Sequence, residues 1–260
     1  MPTERLSFPG HARHPLDARL EVPAGTPRAH ALFAHCFTCG KDSLAAARVS
    51  RALAERGVAT LRFDFTGLGE SEGAFGNTGF SGDVEDLRLA AAFMIEGGRA
   101  PELLVGHSLG GAAALAAAAS IPSVRAVATI GAPLEAAHVM ERFSAAVAEI
   151  ESDGDAVIDI GGQPFTLTRR FLDDVRAHDQ AGRLKALRCG LLVMHSPADA
   201  VVDIAEAGAI FAAARHPKSF VSLADADHLL SDPEDAAYAA GVIAAWAERY
   251  LSGAPSAARD

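Results

Sequence analysis

The feature that most constrains this chain is the pentapeptide Gly106-His107-Ser108-Leu109-Gly110, a G-x-S-x-G sequence. It lies directly after the apolar run Leu103-Leu104-Val105 and directly before an alanine-rich stretch at 111–120. A strand, a glycine-flanked serine and a helix, in that order, is the context a nucleophile elbow requires. The reason is steric. The serine must sit on a strained turn with its hydroxyl exposed, and side chains at the flanking positions would collide with neighbouring backbone. Five letters also occur by chance, so the motif gains meaning only from its surroundings and from a matching acid and base downstream.

The surroundings fit. From about residue 30 onward strand and helix patterns alternate, the signature of a doubly wound α/β fold with a mostly parallel sheet covered on both faces. Segments 5–8 and 16–22 read as short strands joined through Pro9-Gly10, an antiparallel start to the sheet. Strands are expected at 29–35, 58–63, 102–105, 124–130, 189–195 and 219–223. Helices are expected at 43–56, with Asp42 or Ser43 as its cap, and at 81–95, 204–214 and 233–251. The interval 134–188 breaks the rhythm. It holds a helix-like stretch (135–149), a polar turn (151–155), a hairpin (156–160 and 165–168 around Gly161-Gly162) and a helix (169–178). A hairpin interrupting an α/β alternation reads as an inserted cap. The whole chain, 1–260, then reads as one domain with an excursion, long enough to bury a substantial core. Residues 252–260 are small and polar and are expected to fray.

A serine hydroxyl needs a histidine base, and the histidine needs a carboxylate to fix its tautomer and stabilise the imidazolium. In doubly wound hydrolase architectures the partners follow in the order Ser, Asp or Glu, His, each in a loop after a strand. Asp199 follows the apolar segment 190–194, and His228 follows 220–223. All three candidates, Ser108, Asp199 and His228, then lie at C-terminal ends of expected parallel strands, where such sheets build their sites. Asp203 is a rival to Asp199 as the acid, and either could instead cap the next helix. Asp227 could hold His228 in a surface ion pair. His107, inside the elbow, and His216, ahead of a strand, are not placed to act as the base. Donors for a developing oxyanion should be the backbone N–H of Leu109 and that of Phe37, in the loop after strand 29–35. Phe143, Phe165 and Phe171 are candidate apolar lining of the substrate pocket, or packing within the cap.

Other features define alternatives. Cys36 and Cys39 form C-x-x-C beside a helix start, which fits a redox pair or two small side chains filling space behind the loop. No second ligand pair with metal spacing appears, so neither zinc nor another cofactor is expected. The glycine-rich loop 67–73 lacks the Gly-Lys-Ser/Thr ending of a P-loop and the spacing of a dinucleotide fingerprint, and reads as a structural turn. A net charge of −10 argues against a nucleic-acid or anionic-membrane partner. The N-terminus shows no basic region followed by an apolar one, and the apolar stretch 112–121 is too short to span a bilayer. The expectation is a cytoplasmic protein acting on a small-molecule acyl substrate.

On these residues the chain resembles the α/β-hydrolase superfamily over essentially its whole length. The segments Ala31-Leu32-Phe33-Ala34-His35-Cys36-Phe37-Thr38-Cys39, Leu61-Arg62-Phe63-Asp64-Phe65-Thr66-Gly67-Leu68-Gly69 and His216-Pro217-Lys218-Ser219-Phe220 resemble one bacterial branch, in which the hydrolase domain is often fused to an osmotically-inducible-protein-C-like peroxidase domain. The resemblance implies Phe37 as second oxyanion donor, a carboxylesterase-like serine hydrolase, and a peroxidase-like partner by analogy with the fused relatives. Most superfamily members carry His-Gly-x at the oxyanion loop, where this chain has His35-Cys36-Phe37. The alternative is a redox-linked accessory module that uses Cys36 and Cys39, with a vestigial or gated hydrolase site.

Overall fold

The computed structural model describes residues 2–160 and 163–251. The Gly161-Gly162 turn and the tail at 252–260 lie outside the described residues. In chain order the strands are β1 (Thr3–Pro9), β2 (Pro15–Glu21), β3 (Ala29–Ala34), β4 (Val58–Phe63), β5 (Leu103–His107), β6 (Ala126–Ile130), β7 (Asp155–Ile160), β8 (Gln163–Thr168), β9 (Gly190–His195) and β10 (Lys218–Ser222). Eight of them form one sheet in the order β1-β2-β4-β3-β5-β6-β9-β10, while β7 and β8 pair only with each other. β1, β2 and β4 pair antiparallel, and every pairing from β4 onward across the sheet is parallel.

The helices are α1 (Leu44–Glu55), α2 (Gly79–Glu96), α3 (Leu109–Ala118), α4 (Ser144–Asp153), α5 (Arg169–Arg176), α6 (Gln180–Ala186), α7 (Ile204–Ala213) and α8 (Pro233–Leu251). Both faces of the parallel sheet are covered, which is why its strands read as continuous apolar runs rather than alternations. In β5, Leu104 joins the cluster with α2 and α3, and Leu103 and Val105 join the one with α1 and α8. α3 is buried almost all round, and its alanines and glycines let it lie close against the sheet. No helix among the described residues is long and apolar enough to cross a membrane.

Between β6 and β9 the chain leaves the sheet, as the sequence suggested, but with different elements. Residues Ala136–Phe143 are 3-10 helix, and α4 begins only at Ser144. The buried Ala136 and Val139 are three residues apart, the spacing that a tighter turn brings onto one face. The polar turn expected at 151–155 is largely the last turn of α4, closed by Gly154 in the left-handed region (φ +101°). α6 was not anticipated. Asp179 caps it by accepting from the Gly182 N–H at 2.8 Å, and the buried Gln180 donates to the Ala112 carbonyl of α3 at 2.7 Å.

Ser43, one of the two residues expected there, takes the cap position of α1 but makes no side-chain capping bond, and Asp42 pairs with Arg62. Arg62, almost fully buried, also binds Glu21 at 2.7 Å and the Lys41 carbonyl at 2.7 Å. Beside it the Lys41 ammonium meets Asp64 at 2.7 Å, Glu70 at 2.8 Å and Asp17 at 2.9 Å. Asp17, Asp64 and Glu70 bring carboxylate oxygens close enough together to hold a metal ion, and the lysine Nζ stands among them. The glycine-rich loop 67–73 wraps this cluster: Gly69, at φ +55°, has the Asp64 carboxylate where a Cβ would go.

Candidate active site

The elbow is strained where the sequence required it. Ser108 has φ +54° and ψ −128°, a conformation that side chains seldom adopt and that surrounding structure must enforce. Two contacts enforce it. A Cβ on Gly106 would strike the Gly110 carbonyl, and one on Gly110 would strike the carbonyls of Ala34 and His35. The Ser108 N–H donates to the Ile130 carbonyl at 2.9 Å, tying the turn to β6. The first residue of α3 is Leu109, whose N–H has no intrahelical acceptor.

Asp199 and His228 meet. His228 Nδ1 lies 2.7 Å from Asp199 Oδ2, and both side chains are almost fully buried. The other carboxylate oxygen accepts from the N–H groups of Val201 (2.8 Å) and Val202 (2.9 Å). Burial opposes ionisation of Asp199. The His228 bond, the two amides and the His228 charge outweigh it, and the carboxyl is held below its ordinary range. Gly131, at φ +55° just past β6, leaves room for the pair: a Cβ there would come within 3.1 Å of Asp199 Oδ2. Ser196 bridges the two loops by donating to the Ala224 carbonyl at 2.9 Å.

The rivals have other tasks. Asp203 caps α7, accepting from the Ala205 N–H at 2.7 Å. Asp227 accepts from the Ser231 N–H at 2.8 Å. His107 Nε2 lies 2.6 Å from the His228 carbonyl, so His107 holds the backbone of His228. His195 Nε2 stands 2.9 Å from the Val202 carbonyl and 3.5 Å from Asp199 Oδ2, a buried support for the same loop. Neither support was read from the sequence, because each depends on which strand ends are neighbours in the sheet.

The two cysteines of the loop after β3, Cys36 and Cys39, expected as a redox pair or as separate space-filling side chains, are joined by a disulfide, with Cα atoms 5.3 Å apart. The Cys39 N–H donates to the Cys36 carbonyl at 3.1 Å, and Thr38 between them sits at φ +54°. His35 fixes the other side of the turn: Nδ1 is 2.8 Å from the Cys36 carbonyl, and Nε2 accepts from the Phe65 N–H at 3.4 Å. Burial lowers the pKa of His35, which favours the neutral ring that this pattern needs.

One pocket brings these parts together. Ser108, His228, Leu109, Phe37 and both disulfide cysteines line it, with Pro133. His138, Val139 and Arg142 from the 3-10 segment close one side, and Val201, Val202 and Leu229 the other. The sequence reading did not find these wall residues; their only signal was membership of the excursion and of the two loops. The three phenylalanines sit elsewhere. Phe143 and Phe171 are buried ring-to-ring around Phe37 and Phe75, and Phe165 packs against Phe75. They are packing beneath Phe37.

The esterase domain of a Rhodothermus marinus protein is 45% identical, with a TM-score of 0.77, over 96% of this chain and 100% of that one. The chain belongs to the α/β-hydrolase superfamily. A family model described as serine aminopeptidase, S33, matches residues 25–153 of this hydrolase. More distant structures share its fold. Est1E from Butyrivibrio proteoclasticus, with ferulic acid bound, is 17% identical (TM-score 0.77; 95% and 99% of the two chains). Mouse alpha/beta hydrolase domain-containing protein 10 is 19% identical (TM-score 0.77; 95% and 99%). No curated protein matches the sequence.

Proposed function

We propose that this hydrolase is a serine esterase working through an acyl-enzyme. The observation that carries the reading is the His228–Asp199 bond of 2.7 Å in a pocket that Ser108 also lines. In this reading Ser108 Oγ attacks the ester carbonyl and His228 Nε2 takes its proton. Asp199 holds Nδ1–H and stabilises the imidazolium. The N–H groups of Phe37 and Leu109 receive the developing oxyanion. His228 returns the proton to the leaving alcohol, and water, activated in the same way, clears the acyl group. Apolar Val139, Val201 and Leu229 in the walls favour an acyl group carrying hydrocarbon.

The likeness to an esterase domain favours an ester, whereas the aminopeptidase description points to an amide. A panel of p-nitrophenyl esters graded by acyl length, beside aminoacyl p-nitroanilides, separates them. Ester turnover is expected to exceed amide turnover, and Ser108→Ala to lose on the order of 10⁴-fold or more in kcat. Undiminished ester turnover in Ser108→Ala would sink the proposal.

A further inference from the structure

We propose that the Cys36–Cys39 disulfide is a thiol–disulfide exchange centre, with Asp83 as its proton donor, whose redox state sets the hydrolase activity. The consequence for activity rests on the serine-hydrolase reading, with Phe37 as an oxyanion donor; the exchange chemistry does not. Three observations carry it. First, the disulfide is reachable: both cysteines line the pocket that holds Ser108 and His228, and Cys39 is the more exposed of the two. A dithiol small enough to enter where a substrate enters can reach Cys39 Sγ.

Second, Cys36 faces two cavities. Behind the loop it lines a small one together with His35, Phe37, Leu109, Gly110 and Asp83, with room for about one water. Asp83 is buried on α2, and its Oδ1 has no hydrogen-bond partner among the described residues. Buried carboxyl oxygens are ordinarily satisfied, and an unsatisfied one calls for an explanation such as a redox or catalytic role. Burial, with the nearby charges of Asp86 and Asp174, pushes the Asp83 carboxyl well above its ordinary pKa. The shift favours the protonated form of Asp83, in the cavity that Cys36 also lines and where a leaving Cys36 thiolate would need a proton.

Third, the turn that the bond closes is strained. Thr38 is β-branched and sits at φ +54°, where such residues are genuine outliers. The covalent link, one 3.1 Å backbone hydrogen bond and a 2.7 Å bond from the Thr38 hydroxyl to the Phe37 carbonyl hold this turn, and Phe37 lies inside it. Opening the disulfide frees Thr38 to relax and lets the Phe37 N–H swing from its place.

A thiolate of the dithiol attacks Cys39 Sγ, and the Sγ–Sγ bond breaks. The electron pair leaves on Cys36 Sγ, which takes the Asp83 proton. The second thiolate attacks the mixed disulfide, releasing Cys39 and the oxidised cyclic product. Two electrons pass from the dithiol to the protein, and the two protons the dithiol loses restore Asp83 and protonate Cys39.

The test uses the full chain, equilibrated in mixtures of reduced and oxidised dithiothreitol, then desalted anaerobically. Thiols are counted, far-UV circular dichroism is recorded, and p-nitrophenyl acetate turnover is measured. Reduction should expose two thiols beyond Cys189 with the fold retained. It should lower kcat about tenfold or more, a part of the 10²–10³ that loss of a whole oxyanion donor costs, leave KM within about twofold, and be reversed by reoxidation. The Cys36→Ser/Cys39→Ser double variant should match the reduced enzyme and ignore the redox buffer. Asp83→Asn should slow reduction of the disulfide about tenfold, having no acidic proton to give. A disulfide that yields only on unfolding overturns the exchange centre, and Asp83→Asn reduced at the wild-type rate overturns the donor. Equal turnover in both redox states, with Ser108→Ala inactive, overturns the switch and leaves the hydrolase reading standing. Turnover that survives Ser108→Ala overturns that reading instead, while the thiol count and the Asp83→Asn rate still judge the exchange centre.

Discussion

His107 works across the molecule through a single ring nitrogen. Nε2 grips the carbonyl of His228, 121 residues away, while the buried Nδ1 has no partner. Burial first, and then the charge of His228, drive its pKa down to about 3, so the ring is neutral at any pH where the enzyme would be assayed. His107→Leu removes the donor and strands a buried carbonyl, which costs about 1–3 kcal/mol. We expect kcat to fall with KM nearly unchanged, because the proposed base, His228, loses its seat rather than the pocket its shape. The midpoint of the acid limb in the pH–rate profile should stay where it is, since His107 does not titrate there. Stopped assays from pH 5 to 9 on the variant check both points; a shifted acid limb would show that His107 itself carries the proton. The sequence marks His107 only as a residue inside the elbow. Its span to His228 becomes visible only once β5 and the loop after β10 are placed.

Among the elements, those with a long, regular apolar pattern were the most legible. β4 and α8 have the bounds that the apolar runs and the flanking proline suggested, and the strand ends that carry Ser108, Asp199 and His228 were within two residues. The excursion was less so, because its amphipathic pattern alone does not separate 3-10 from α-helix, and a short helix such as α6 is set by tertiary contacts of Gln180. Lys41 was missed altogether. A lone lysine after a glycine reads as a surface charge, yet here it is the pin between the disulfide loop, β4 and the glycine-rich loop. Burial works against its ammonium. Hydrogen bonds to Asp64, Glu70 and Asp17 outweigh that and hold its pKa above the ordinary lysine value. A raised pKa contributes stability that is complete below about pH 10.4 and is lost as pH rises through the folded value. Lys41→Met leaves Asp64 buried and uncompensated, and should cost about 3–5 kcal/mol at neutral pH, read from the urea midpoint. The gap between variant and wild type should narrow in strong alkali, and again in acid, where Glu70, whose carboxyl Lys41 holds below its ordinary range, takes up a proton.

On the scale of the whole molecule, the sheet distributes the candidate site unevenly. β5, which leads to Ser108, has strands on both sides, whereas β10, which leads to His228, is the last strand and pairs with β9 alone. Its residues are only partly buried, and Phe220 is 42% exposed. An edge strand opens at a lower free energy than a central one. The molecule therefore has a built-in order of failure on heating. β10 should release before the central strands, taking the histidine out of register while they still hold the serine on its turn. Hydrolase activity is then expected to disappear several degrees below the melting transition seen by circular dichroism, and to return on prompt cooling. Amides of β10 should exchange with deuterium faster than those of β5. Coincident loss of activity and ellipticity would contradict this. Stabilising such a protein for use would mean bracing its last strand, for the core beneath the serine would already outlast the function it serves.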